Sequence, residues 1–168
     1  WSLSVLFVFA VVLSFVIYGA EIRPIAQSKK IISSLQMISN GSAPLQVLAS
    51  FQKALSYDTF GNSETREQFL QYAHGIAQNT QIPQADRESI LKTAVKEMED
   101  QVAKNPEDIR YRLFLGAVGY SSLAFFDPIY VQKAEEELLK TISLSPKKQA
   151  AYFSLLQLYL NTGRADKA

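Results

Sequence analysis

The chain has 168 residues, with 17 basic and 16 acidic side chains and a net charge of +1. That balance gives no electrostatic case for nucleic acid, whose phosphates call for a basic surface. With no cysteine and one histidine, disulfides, thiolate sites and histidine metal clusters are excluded.

Trp1 to Ala20 carry no charge and are built from Val, Leu, Phe, Ile and Ala, with Ser2, Ser4, Ser14 and Gly19 as breaks. At helical rise twenty residues cover roughly 30 Å, the hydrocarbon thickness of a bilayer. This predicts a transmembrane helix over residues 1–22, with Tyr18 and Arg23 as interfacial anchors. A secretory signal would show a basic n-region, and none precedes the run. Arg23, Lys29 and Lys30 follow the span, and the positive-inside rule leans that flank to the cytoplasm, with the opposite flank missing from the comparison. The start at Trp1 and the stop of Leu160 to Ala168 inside an unfinished hairpin predict a piece of a longer protein.

Pro24 either opens a new helix or kinks a continuing one. Ile25, Ile31, Ile32, Leu35 and Ile38 predict an amphipathic helix to Ser39, closed by Asn40-Gly41. Leu45, Leu48, Phe51 and Leu55 mark the next, from Ala43 to Tyr57, with Pro44 in its first turn. Residues 23–61 thus form a juxtamembrane, repeat-like pair. Asn62 or Ser63 is expected to cap a helix to about Asn79, and Ile82-Pro83 to separate it from one over Gln84 to Lys104. Residues 62–104 make a divergent pair. Asn105-Pro106 opens a helix to about Phe126, Asp127-Pro128 turns the chain, and helices follow to Leu144 and from Lys148 to Asn161. No run alternates with period two, so no sheet is expected.

A repeat runs through the last segment, residues 105–168. Pro106 and Pro146 lie forty residues apart, each followed nine residues later by a leucine, Leu115 and Leu155. This is a repeat of about thirty-four residues with a short insertion near Phe125 to Tyr130. The pattern resembles the tetratricopeptide repeat. Tyr152, Leu155, Tyr159, Gly163 and Ala168 fit in order, with Leu156 in place of glycine. Leu115-Gly116, Ala134, Leu138, Leu144 and Pro146 fit the preceding unit, with Arg112 at an aromatic position and Tyr120 one residue late. The resemblance implies an all-α fold: one transmembrane helix, then a right-handed tetratricopeptide-like array of antiparallel helix pairs. The last pair is truncated, leaving an apolar face uncovered, and self-association through the final helix is expected.

The order of segments carries a narrower resemblance. Ile22 to Ala26 follow the span, then come Ala54 to Gly61, Glu64 to Gln68, and Leu144 to Gln149 before a tyrosine-bearing helix. This resembles the C-terminal tail of bacterial membrane proteins of the O-antigen ligase and polymerase family, in the branch with tetratricopeptide tails. It implies a parent in the inner membrane that moves undecaprenyl-linked glycan onto an acceptor in the cell envelope. It also implies that the catalytic residues lie in a loop between earlier spans, so no residue here inherits a catalytic role.

The chain's own residues suggest no chemistry. The acidic runs Glu97/Glu99/Asp100 and Glu135/Glu136/Glu137 fan out around a helix and read as hydrated faces. His74, beside Tyr72, Ala73 and Gly75, reads as a surface or half-buried histidine. No catalytic, cofactor or metal residue is expected. The partners expected are the bilayer, through residues 1–22, and a protein or peptide in a groove along the repeats. Phe153, Gln157, Leu160 and Asn161 of the last helix, with Arg110 and Arg112 before them, are the groove candidates. An arginine there could hold a peptide carboxylate through two hydrogen bonds, although a surface or inter-repeat role competes with that reading. Two alternatives stay open: a single-span scaffold with no transferase upstream, and a tail that lends acceptor or glycan contacts to catalysis.

Overall fold

The structure, a computed structural model, describes residues 2–167, with Ser2 described by its backbone alone. Trp1 of the span and Ala168 of the repeat pattern lie outside the described residues. All regular structure among the described residues is helical. The chain divides into two compact units, one ending at Thr65 and the other beginning at Arg66.

In the first unit, helix α1 (Ser2–Ile17) runs through a π-helical turn (Tyr18–Ile22) into α2 (Arg23–Ser39). Together they include one helix, Leu3–Ser39, that is long and apolar enough to cross a membrane. Pro24 therefore sits inside a continuing helix. Its ring crowds the carbonyl four residues back, that of Ala20, and it has no N–H to offer. The wide turn falls over that position.

Helix α2 ends in a Schellman closure. Ser42 donates to the Met37 carbonyl at 2.9 Å and Gly41 to that of Ile38 at 3.0 Å, and Gly41 takes φ +69°. The chain then doubles back as α3 (Pro44–Leu55), which packs against α2. The face that α2 buries differs from the expected one. Ile25, Ile32 and Leu35 are exposed, while Pro24, Gln27 and Ser34 are buried. Against them α3 presents Val47, Ser50, Phe51 and Ala54. The Ser34 hydroxyl donates to the Lys30 carbonyl, so Ser50 donates to Ser34 across the pair at 2.8 Å. Periodicity located the helix; polar pairing chose its buried side.

Helix α4 (Asn62–Gln78) begins at Asn62, one of the two residues expected to start it. Asn62 turns inward and donates to the Leu55 carbonyl at 3.3 Å, and Ser63 donates to that of Phe60.

In the second unit α5 (Gln84–Lys104) matches its expected limits. The following helix starts later than Asn105-Pro106. Asp108 caps α6 (Ile109–Phe114) by accepting the Arg110 N–H at 2.8 Å, which satisfies one orphan donor of the first turn. A π-helical segment (Leu115–Tyr120) and α7 (Ser121–Leu123) continue it and stop short of Phe126. Then come α8 (Ile129–Leu144), α9 (Gln149–Asn161) and a 3-10 turn (Ala165–Lys167). Helix α8 packs against α6, the π segment and α9. Phe69, Leu70, Ile90, Leu91, Met98, Leu115, Leu123 and Leu138 form the core of this unit.

Candidate functional site

Helix α9 carries a row of polar side chains at Ser154, Gln157 and Asn161, spaced three and four apart and so on one face. None of the three hydrogen-bonds to another described residue. They line a groove of about 410 Å³ whose other walls are His74 and Gln78 of α4, Ser121 and Ser122 of α7, and Phe125 and Val131. No lining side chain is an Asp, Glu, Lys or Arg. The walls offer carboxamides, hydroxyls and an aromatic ring, which suits a neutral polar ligand with some apolar surface.

His74 is half-buried and hydrogen-bonded on both ring nitrogens. Nδ1 lies 2.6 Å from Ser122 Oγ, and Nε2 lies 3.0 Å from the Gln78 carboxamide nitrogen. Ser122 gives its own proton to the Val118 carbonyl, so His74 donates through Nδ1 and accepts from Gln78 at Nε2. The pair superficially matches the serine–histidine arrangement of a hydrolase. A nucleophilic serine must pass its proton to the histidine and meet substrate. Ser122 is 1% exposed and its proton points into the helix, so this contact ties α7 to α4. The separation of 48 positions between the two leaves no local sequence signal of it.

Of the residues expected at the groove, the structure brings Gln157 and Asn161 together in its wall. Phe153 is exposed on α9 with Leu156 and Leu160, and Phe153 and Leu160 do not line the groove. Arg110 pairs with Glu67 of α4 at 2.6 Å. Arg112 pairs with Glu137 of α8 at 2.7 Å and donates through Nε to the Pro106 carbonyl, with 13% of its side chain exposed. Both arginines join helices to each other.

Four of the six acids in these runs join helices, while Asp100 and Glu136 stay on the solvated side of their own helices, bonded to Lys96 and Gln132. Glu97 accepts from Arg66, Glu99 from Tyr120, Glu137 from Arg112, and Glu135 from Tyr159 and Arg164. Consecutive side chains fan out around a helix, so each meets a different neighbour. Burial and then the Glu99 carboxylate push the Tyr120 hydroxyl well above its usual range. Burial and Glu135 raise Tyr159 in the same way. Burial alone would raise Glu135, but the hydrogen bonds from Tyr159 and Arg164 outweigh it and hold the carboxyl below its ordinary value. Among the described residues no group of three or more His, Asp or Glu is placed to hold a metal ion.

No protein-family profile, curated protein or solved structure matches this chain.

Proposed function

We propose that the chain is a membrane-anchored helical-repeat module that docks a partner protein or peptide in the groove of α4, α7 and α9. Residues 1–22 sit in the bilayer, and the module is the tail of an O-antigen ligase or polymerase type protein that handles lipid-linked glycan in the bacterial cell envelope. The observation that carries the docking role is the row Ser154, Gln157 and Asn161: polar side chains without a hydrogen-bond partner among the described residues, lining one cavity. A groove of amides and hydroxyls matches the hydrogen-bonding groups of an extended peptide backbone.

Two packing features support the tetratricopeptide-like pairing. Gly116, at the small position of the pattern, meets α8 beside Ala134, the next small position. Tyr120 stands one residue late in the pattern, and the π-helical segment Leu115–Tyr120 absorbs such an extra residue. Tyr120 is thereby returned to a buried site.

The test is made in the full-length protein. Gln157→Ala with Asn161→Ala should alter the yield or length of surface glycan while the membrane level of the protein is unchanged. Wild-type glycan from that variant would overturn the docking role. Finding no further apolar spans upstream of Trp1 in the full protein would favour the single-span scaffold instead.

A further inference from the structure

Phe60 is 83% exposed, the most exposed of the described large hydrophobic side chains, ahead of those on the apolar helix itself. It does not stand on a loose loop. The Arg23 guanidinium donates to the Tyr57 carbonyl, and the Thr59 hydroxyl donates to Gln27 Oε1. Gln27 Nε2 donates to Asn62 at 2.5 Å and to Thr65 at 3.1 Å. A Cβ on Gly61 would lie 3.0 Å from Gln27 Oε1. Of the two neighbours of Phe60 in the chain, Thr59 is fastened to Gln27, and Gly61 packs against the same side chain and donates its N–H to Thr59 Oγ1 at 3.2 Å.

The height of that side chain along the helix follows from the helical rise. Arg23 and Gln27 lie three and seven residues beyond Ala20, where the uncharged run ends, or roughly 5 and 10 Å. The headgroup layer of a bilayer begins where its hydrocarbon ends and is several ångströms deep, about 5 to 8 Å on each side. With Leu3–Ile22 across the bilayer, Arg23 falls within that layer and Gln27 just past its outer edge, so the loop they hold lies at that edge. At the same level of the helix Ile22 and Ile25 are also exposed, and Arg23, Lys29 and Lys30 supply the charge that anionic headgroups attract. Asp58, the loop's acidic residue, is engaged by the Asn62 carboxamide.

We propose that the Tyr57–Gly61 loop is a second membrane contact, with Phe60 seated in the headgroup layer of the leaflet from which the span emerges. An aromatic side chain is favoured at that depth, whereas in water its exposed ring surface gains nothing. Two contacts, one made by the helix and one by the loop it holds, fix the rotation of α2 at the membrane surface. The proposal rests on Leu3–Ile22 crossing the bilayer and is independent of the groove.

The test uses the full chain in vesicles of mixed neutral and anionic phospholipid. Trp1→Phe removes the one tryptophan of residues 1–168, and single probes are then placed by Phe60→Trp, Val12→Trp and Gln36→Trp. Emission is compared in lipids brominated near the headgroup or near the bilayer centre. The Phe60 probe should lose emission mainly to the shallow bromines and the Val12 probe mainly to the deep ones. The Gln36 probe, roughly 21 Å beyond Ile22 on the same helix, should lose emission to neither. A Phe60 probe blind to both lipids, beside a quenched Val12 probe, overturns the proposal and leaves the span intact. An unquenched Val12 probe removes the span and the proposal with it.

Discussion

Gly116 lies so close to α8 that a Cβ added to it would stand 3.3 Å from the Ala134 carbonyl oxygen, 3.2 Å from Glu137 Cβ and 3.1 Å from Leu138 Cγ. Gly75 of α4 has nothing within 4 Å of the same position. Adding a side chain should therefore act oppositely at the two sites. Gly75→Ala should stabilise by about 0.5–1 kcal/mol, the helix-propensity gain. Gly116→Val should destabilise by about 1–3 kcal/mol, because the backbone and core side chains it meets have little room to yield. Chemical denaturation of the chain in detergent, followed by helical circular dichroism, reads both; equal effects at the two glycines would contradict this packing.

Gln27 holds the loop after α3 through Thr59, Asn62 and Thr65, and it is 1% exposed. Gln27→Leu keeps the volume and strands those partners in a buried site. The expected loss is about 2–3 kcal/mol, since an unsatisfied buried polar group costs its desolvation. The loss should be local first. Limited proteolysis should show faster cleavage between Tyr57 and Gly61, and an unchanged cleavage rate there would count against the latch.

Much of the helical framework was legible in the sequence, because apolar spacing and Gly or Pro punctuation are local signals. Asn40-Gly41 and Thr162-Gly163 each end a helix, with Gly41 at φ +69° and Gly163 at φ +71°. The same spacing misassigned the buried face of α2, where Ser34 meets Ser50 and Gln27 meets Asn62. A period cannot say which partner a helix will find. At the groove, Gln157 and Asn161 were legible because they sit on one helix face. His74 and Ser122 were not, since chain folding alone brings them to 2.6 Å. Arg110 and Arg112 attracted a binding role for want of visible partners, and those partners, Glu67 and Glu137, lie on other helices.

Tyr120 keeps its proton in the folded chain far beyond its ordinary value of 10.0, through burial and the bond to Glu99. In the unfolded chain it ionises near that ordinary value. The folded state then binds the extra proton, so its contribution is fully present below pH 10 and declines as pH rises above it. Tyr120→Phe should lower stability at neutral pH and flatten the alkaline fall. Denaturation midpoints of both proteins across the alkaline range test this; an unflattened slope in the variant would assign the fall to other groups, Tyr159 first.

Arg66 spans α4 and α5, donating to Glu97 at 3.1 Å and to Gln101 at 2.6 Å, with 8% of its side chain exposed. Lys92 and Glu88 pair at 2.7 Å on one exposed helix face. Distance alone would rank the lysine pair stronger, and burial reverses that order. Arg66→Ala leaves Glu97 and Gln101 without their donor and should cost about 3 kcal/mol. Lys92→Ala should cost far less than Arg66→Ala, since water and salt screen that pair. Raising salt should leave the gap between the two variants nearly unchanged, and a gap that closes with salt would place both pairs in water.

Gln157 and Asn161 separate binding from folding, because neither holds the chain together. Their side chains are exposed and hydrogen-bond to no described residue, so removing them should shift stability by less than about 0.5 kcal/mol. Arg112→Ala, by contrast, breaks the bond to Glu137 and should destabilise measurably. If the groove docks a partner, Gln157→Ala with Asn161→Ala should lose function at full stability, while Arg112→Ala should lose function only in proportion to its loss of fold. Comparing membrane abundance, melting and surface glycan across these variants makes the distinction. Function that tracks stability alone in every variant would mean that the polar row of α9 is merely solvated.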